Sequence, residues 1–354
     1  MYLFIQGMYR SGTTTFSKIL SNHPELVIKN DTLFPLFKNI KSKVEFNLGE
    51  NKSVYISDYF LKNQNIFDAI QKFNLKENIF KKKKLKKEII NYVKNYSPEL
   101  KKKINDLNYS TYYKLIVSFF DILKREKEVN VLGIKEVWTN EFYKPLKNYF
   151  PKAKFIFIIR NPKGIIASSL KDKNSNYKIY FLIKQWRKIA YLSHYYNKKN
   201  TILVKYENLI KQNKKTLHDI GSYLNLKNKN FDEAIRLTKV KSNWFQNSSF
   251  KTYGKGYFNK SSVENWKNYL NKSEKKIINI LCYPEMKLLN YNSEIKTIKL
   301  YEKEIIMNKK FIVNAIGEIN YKNELIRSNL LIKKKYDKNF FLNKKHFNSL
   351  INLI

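Results

Sequence analysis

The first two dozen residues, Met1 to Pro24 (MYLFIQGMYRSGTTTFSKILSNHP), restrict the fold more than any other stretch. Tyr2-Leu3-Phe4-Ile5 is a short apolar run that reads as a buried strand. Gly7 to Gly12 reads as a turn, and Thr13 onward as a helix with Phe16, Ile19 and Leu20 on one face. A strand feeding a glycine-bounded loop and then a helix makes an anion cradle. The loop N–H groups and the positive end of the helix point at one spot, with the Ser11, Thr13 and Thr14 hydroxyls beside it. Gly7 and Gly12 are separated by four residues, as in a Walker A loop, but Thr13 stands where the Walker lysine would reach the β- and γ-phosphates. Arg10, inside the turn, is the loop's cation. That arrangement suits one compact anionic group better than a triphosphate.

A second strand–turn–helix follows later in the chain. Val131–Lys135 and Lys154–Ile159 read as strands separated by a helical pattern over Asn140–Tyr149. The second run is apolar on both faces and belongs in the middle of a parallel sheet. It ends in Arg160-Asn161-Pro162, followed by a predicted helix Lys163–Leu170 that contains Ser168. In an open α/β sheet, ligands bind at this C-terminal edge. The chain has six arginines, Arg10, Arg125, Arg160, Arg187, Arg236 and Arg327, against a far larger number of lysines. Two of the six beside phosphate-type loops is informative, because arginine offers oxyanions a planar fork that lysine lacks.

Between these motifs, Pro24 ends the first helix and a short strand leads to Asp31. By spacing, Asp31 is either a base at the sheet edge or the N-cap of a helix over Thr32–Ile40. From about 41 to 127 the pattern is helical, with segments Ser57–Phe73, Leu85–Tyr96 and Tyr109–Arg125, as expected of an inserted lobe. The lysine run 81–87 reads as a solvated helix face. Tyr177–Lys198 is amphipathic, Thr201–Lys205 reads as a strand, and Tyr206-Glu207-Asn208-Leu209 opens a helix to Leu224. Tyr253–Tyr257 is a glycine loop carrying Lys255, Ser261–Lys267 looks like a capped helix start, and Ser273–Leu289 is a helix. Residues 294–354 read as a helical, lysine-rich C-terminal extension.

These alternations predict an α/β fold: a P-loop-type, predominantly parallel sheet flanked by helices over residues 1–293, with the helical insertion and the C-terminal extension added. The formal charge of +40 is mostly lysine spread along the whole chain rather than gathered into a patch, so a specific nucleic-acid partner is not expected. The single cysteine, Cys282, excludes an internal disulfide and a cysteine-based metal site. With no apolar stretch near the roughly 20 residues of a membrane span, these features lead to the expectation of a cytoplasmic enzyme. His23, His194, His218 and His346 lack metal spacing, and no metal is expected.

At this point the motifs resemble the PAPS-dependent sulfotransferase superfamily, whose donor is 3′-phosphoadenosine 5′-phosphosulfate. Tyr9-Arg10-Ser11-Gly12-Thr13-Thr14 is similar to that family's 5′-phosphosulfate loop. Phe155 to Ser168, with the serine eight residues after Arg160, is similar to its 3′-phosphate motif. Val204 to Leu209 is similar to its Tyr-Glu-Asp-Leu stretch, and Ser261 to Lys267 to its C-terminal Trp-Lys region. The resemblance covers about Met1 to Tyr291, excluding the 41–127 lobe. It implies donor contacts from Arg10, Ser11, Gly12, Thr13, Thr14, Arg160, Ser168, Tyr206, Ser262, Lys255 and Lys267. The histidine base of the small-molecule branch is absent: the matching stretch reads Lys135-Glu136-Val137. In the carbohydrate and tyrosylprotein branches a carboxylate after the first helix serves, and the matching position is Asp31. The implied base is therefore Asp31 first and Glu136 second, with Arg10 stabilising the leaving phosphate. Transfer of a sulfuryl group to an acceptor hydroxyl, with a glycan as the favoured acceptor, is the leading reading. A P-loop phosphotransferase and a non-enzymatic basic binder of nucleic acid or acidic polymer are the alternatives, and the oligomeric state is left open.

Overall fold

The structure, a computed structural model, describes residues 1–49, 64–137, 139–171, 177–197, 200–240 and 261–333. Strands β1 (Tyr2–Gly7), β2 (Leu26–Asn30), β3 (Val131–Val137), β4 (Lys154–Ile159) and β5 (Thr201–Lys205) form one sheet, ordered β2-β3-β1-β4-β5, with every neighbouring pair parallel. The helices of the described residues are α1 (Thr13–Ser21), α2 (Phe34–Asn47), α3 (Gln64–Gln71), α4 (Lys82–Tyr96), α5 (Tyr112–Glu126), α6 (Tyr143–Tyr149), α7 (Pro162–Leu170), α8 (Ile179–Tyr195), α9 (Tyr206–Lys211), α10 (Asn213–Tyr223), α11 (Asp232–Val240), α12 (Ser261–Glu264), α13 (Trp266–Tyr269), α14 (Lys272–Leu288), α15 (Ile298–Met307), α16 (Lys309–Ile316) and α17 (Glu318–Lys333).

Two compact units divide the chain. The first contains the sheet and the described residues of 1–49, 65–160, 196–240 and 261–263. Its strands alternate faces with period two, and each face has its own chemistry. Leu3 and Ile5 of β1 with Ile156 and Ile158 of β4 join Phe16, Ile19 and Leu20 of α1 and Leu217 and Ile220 of α10 in an aliphatic core. The opposite face is aromatic. Phe4 stacks on Phe155 at 5.2 Å, meets Phe120 of α5 edge-on at 5.8 Å, and Phe155 in turn packs against Tyr143 of α6 at 4.7 Å. Burial of β1 and β4 on both faces follows from a central position between helical layers.

The second unit comprises described residues of 161–195 and 264–333. Within it α8 packs on α14 and α7, and α15 packs on α17 and α14. A buried charge network ties these helices together. Arg187 of α8 makes a bidentate pair with Glu324 of α17, at 2.7 and 2.9 Å, and Tyr180 donates to the same carboxylate. Arg327 pairs with Glu285 of α14 and reaches Tyr301 of α15 at 3.3 Å.

The sheet runs and most helices fall where the pattern puts them, with two differences of substance. β3 continues two residues past Lys135, so that Glu136 and Val137 pair with Gln6 and Gly7 of β1. The predicted helix from Tyr206 is two, α9 and α10, because the backbone leaves the helical region at Gln212 (φ −133°, ψ 46°). The Tyr253–Tyr257 loop and the residues after Lys333 lie outside the described residues, as does most of the predicted helix Ser57–Phe73 before Gln64.

Candidate active site

The order β2-β3-β1-β4-β5 puts β1 at the centre, with the chain leaving it towards one side first and the other later. Such a switch point opens a crevice at the strand C-termini. Each of the five strands delivers a polar group there: the Arg10 loop after β1, Asp31 after β2, Lys135 and Glu136 in β3, Arg160 after β4 and Tyr206 after β5.

The β1 loop folds as its glycines require. Gly12 lies at φ 87°, in the left-handed region, and a Cβ there would fall 2.3 Å from Tyr206 Cδ2. Only glycine fits both constraints. Gly12 is also the N-cap of α1 and places no side chain over the first turn, leaving that end of the helix to an anion. Ser11 is buried and its hydroxyl donates back to Met8 O, which closes the turn. Thr13 is buried too, whereas Thr14 is exposed at the mouth of the loop. Arg10 itself sits at φ 65° and is half-buried.

Arg160 joins three pieces of this edge. Its Nη1 donates to Arg10 O at 3.1 Å, its Nη2 donates to Ser262 O at 2.6 Å, and its guanidinium lies over the Tyr206 ring, 4.4 Å from the centroid. Tyr206 and Ser262 share a hydroxyl hydrogen bond of 2.9 Å. Arg10, Arg160, Tyr206 and Ser262, which the sequence motifs nominated from four separate stretches, are thus brought together. Ser168, on α7, and Lys267, on α13, belong to the second unit. Ser168 is buried, and Lys267 is exposed and pairs with Glu264 at 2.7 Å. In that unit α7 and α13 pack together, with Lys163 Nζ 4.7 Å from the Trp266 ring centroid. Lys255 lies outside the described residues.

Asp31 is not a helix cap. α2 begins at Phe34, and its N-cap, Leu33, makes no side-chain cap. Instead the Asp31 N–H donates to Lys135 O at 2.7 Å, continuing the β2–β3 ladder one residue further. The backbone then turns through φ 54°, a conformation that Asp tolerates better than most residues. Its Oδ2 accepts from Lys135 Nζ, while its Oδ1 accepts no hydrogen bond from any described residue. Lys135 is fully buried and Asp31 is partly open, with 19% of its side chain exposed although its Oδ1 is buried. Glu136 is 2% exposed and takes the Leu33 N–H on Oε1 at 2.8 Å. Burial, and then the neighbouring Asp31 charge, push its carboxyl well above the usual carboxylate range. On the α1 side, Lys18 has its pKa lowered by burial and then by the charge of Lys135.

The motif comparison did not nominate Lys135 or Lys18. A lysine next to a glutamate inside the apolar run Val131–Val137 is a sequence signal for a buried ion pair, but it does not name the partner. Among the described residues no group of acidic, histidine or cysteine side chains could hold a metal. No helix of the described residues is long and apolar enough to cross a membrane.

A parallel α/β sheet with a loop–helix anion cradle at its centre and an arginine on the adjacent strand end defines the P-loop-type class. The family model described as "Sulfotransferase family" matches residues 3–230, more than half of the chain. The chain belongs to the sulfotransferase family. Among solved structures, it is similar to the sulfotransferase domain from the curacin biosynthetic pathway, with a TM-score of 0.51 and 15% identity, covering 82% of this chain and 98% of that one. It is also similar to the sulfotransferase domain of the Synechococcus PCC 7002 olefin synthase (TM-score 0.48, 16% identity, 82% and 94% covered). A third similarity is to the mouse sulfotransferase SULT7A1, solved with PAP (TM-score 0.44, 15% identity, 82% and 89% covered). A search of curated proteins gave no match.

Proposed function

We propose that this sulfotransferase takes its sulfuryl group from 3′-phosphoadenosine 5′-phosphosulfate and passes it to a hydroxyl of a carbohydrate. The observation that carries the donor assignment is the position of Arg160, 3.1 Å from the backbone carbonyl of Arg10. Two oxyanion sites side by side on β1 and β4 suit a nucleotide phosphorylated at both its 5′ and 3′ positions, which ATP is not. The uncapped N-terminus of α1 and Arg10 then receive the 5′-phosphosulfate, and Arg160 the 3′-phosphate. Tyr206 and Ser262 hold the guanidinium in place. Ser168, Lys255 and Lys267 enter this reading through their motifs.

Transfer is in line. The acceptor oxygen forms a bond to sulfur as the bond from sulfur to the 5′-phosphate oxygen breaks. The acceptor proton passes to Asp31, and adenosine 3′,5′-bisphosphate leaves. The loop N–H groups and Arg10 stabilise the charge gathering on the leaving phosphate, by analogy with phosphoryl transfer. Lys135 pairs with Asp31 at the edge of the crevice, and burial raises the pKa of the neighbouring Glu136, which favours its neutral form beside that carboxylate. A carbohydrate is favoured over a small phenol because a carboxylate rather than a histidine stands at the base position.

The test is release of adenosine 3′,5′-bisphosphate from the donor in the presence of a panel of glycans. Wild-type protein is expected to turn over with at least one glycan, and Asp31→Asn to lower kcat by about a hundredfold while donor affinity survives. Unchanged kcat in Asp31→Asn removes that residue from the chemistry.

A further inference from the structure

The last two turns of α4 lie beside the segment that carries Asp31, and they present more aromatic surface than the core uses. Lys29, two residues before Asp31, pairs with Glu99, just beyond the end of α4. Phe34, three residues after Asp31, stacks on Tyr92 with ring centroids 5.9 Å apart. Tyr92 meets Tyr96, one helical turn on, at 5.5 Å. Tyr96 thus lies between a contact to Lys29 of β2 and a contact to Phe34 of α2, which flank Asp31 in the chain, and the Asp31 charge, after burial, is the second influence raising its phenol pKa. The core contacts of α4 come from Leu85, Ile89 and Val93; Tyr96 is 50% exposed. Phe34 and Tyr92 are half-buried where α2 packs on α4, and Tyr96 extends their aromatic surface into the open beside a candidate general base, where packing does not explain it.

We propose that Phe34, Tyr92 and Tyr96 form the acceptor platform, on which a pyranose ring lies with one hydroxyl directed at Asp31. The chemistry of the surface selects this occupant. The rings offer flat apolar faces, while their rim is polar: two phenol hydroxyls and the Lys29–Glu99 pair. A pyranose matches both parts, with an apolar C–H face for the rings and hydroxyls around its edge for the rim. A phenol or an alkyl alcohol brings one hydroxyl to that rim where a pyranose brings several, so it makes fewer hydrogen bonds there. The half-open platform has no need to enclose its ligand, so a sugar at the end of a longer chain fits as well as a free one. This inference rests on the reading of Asp31 as the base that receives the acceptor proton.

Saturation-transfer NMR tests it without requiring turnover. The protein, loaded with adenosine 3′,5′-bisphosphate, is mixed with methyl β-glucopyranoside, methyl β-galactopyranoside, p-cresol and hexanol. Transfer to the ring protons of a pyranoside is expected in wild type. It should fall about tenfold in Tyr96→Ala, as loss of one stacking aromatic implies, and be retained in Tyr96→Phe, with bisphosphate affinity unchanged in both. Asp31→Asn should leave the transfer intact while lowering kcat by about a hundredfold, so failure of the base and failure of the platform give different results. Equal transfer in wild type and Tyr96→Ala, no transfer to either pyranoside, or transfer confined to p-cresol or hexanol overturns the platform. If the bisphosphate does not bind, the donor assignment falls, and the same comparison in the protein alone decides the platform.

Discussion

At Gly12 one missing side chain does two jobs: it lets the backbone enter the left-handed region and it leaves room for the Tyr206 ring. Gly12→Ala should therefore cost about 1–3 kcal/mol of stability and weaken bisphosphate binding by tenfold or more; calorimetry and thermal melts check both. The Asp31–Lys135–Glu136 cluster makes a prediction in pH. The Glu136 carboxyl titrates higher in the folded chain than in the unfolded one, so the folded state binds the extra proton. Its contribution to stability is complete below the ordinary value of about 4.5 and is lost as the pH rises towards the folded-state value. Melting temperature should thus fall with rising pH above that point more steeply in wild type than in Glu136→Gln; parallel curves would contradict a raised Glu136 pKa in the folded chain. The sequence shows these residues unequally. Arg10 and Arg160 stand out because arginine is rare in a lysine-rich chain. Lys135 does not, since its partner is brought by a strand a hundred residues away.

Among the elements, those with unambiguous periodicity are readable from the residue pattern alone. β4 is an unbroken apolar run because helices cover both of its faces, and its limits, Lys154–Ile159, coincide with the run itself. Truncating one of its core residues, Ile158→Ala, should cost about 2–5 kcal/mol, measured by denaturant unfolding. β3 is harder. Its last residues, Lys135 to Val137, interrupt the apolar pattern with two charges, and only pairing with β1 and β2 shows that the strand continues through them. The turn at Asp31 is invisible to spacing rules for a related reason. A cap and a left-handed strand end both favour Asp, and the choice between them is made by Lys135 O, a partner from β3. In the 41–127 lobe, helices are legible as helices, but the position of α4 beside Asp31 is not, because it depends on contacts such as Phe34 on Tyr92.

For the whole molecule, the family match ends at residue 230 and takes in α7 and α8 of the second unit, while α13 to α17 of that unit follow it. Isoleucine and lysine are the commonest residues of 294–333, while their hold comes from two arginines and two glutamates buried between α8, α14 and α17. Arg327→Met leaves Glu285 buried without its partner and should destabilise the protein by about 3–5 kcal/mol, read as a lower unfolding midpoint. The most decisive measurement concerns the crevice at the sheet edge: calorimetric titration of the full-length protein with adenosine 3′,5′-bisphosphate, against 5′-AMP and against ATP with Mg²⁺. The proposed anion sites, one at the Arg10 loop and one at Arg160, predict selective binding of the bisphosphate, lost in Arg160→Ala. Preference for ATP, or equal affinity for 5′-AMP and the bisphosphate, would contradict the donor assignment.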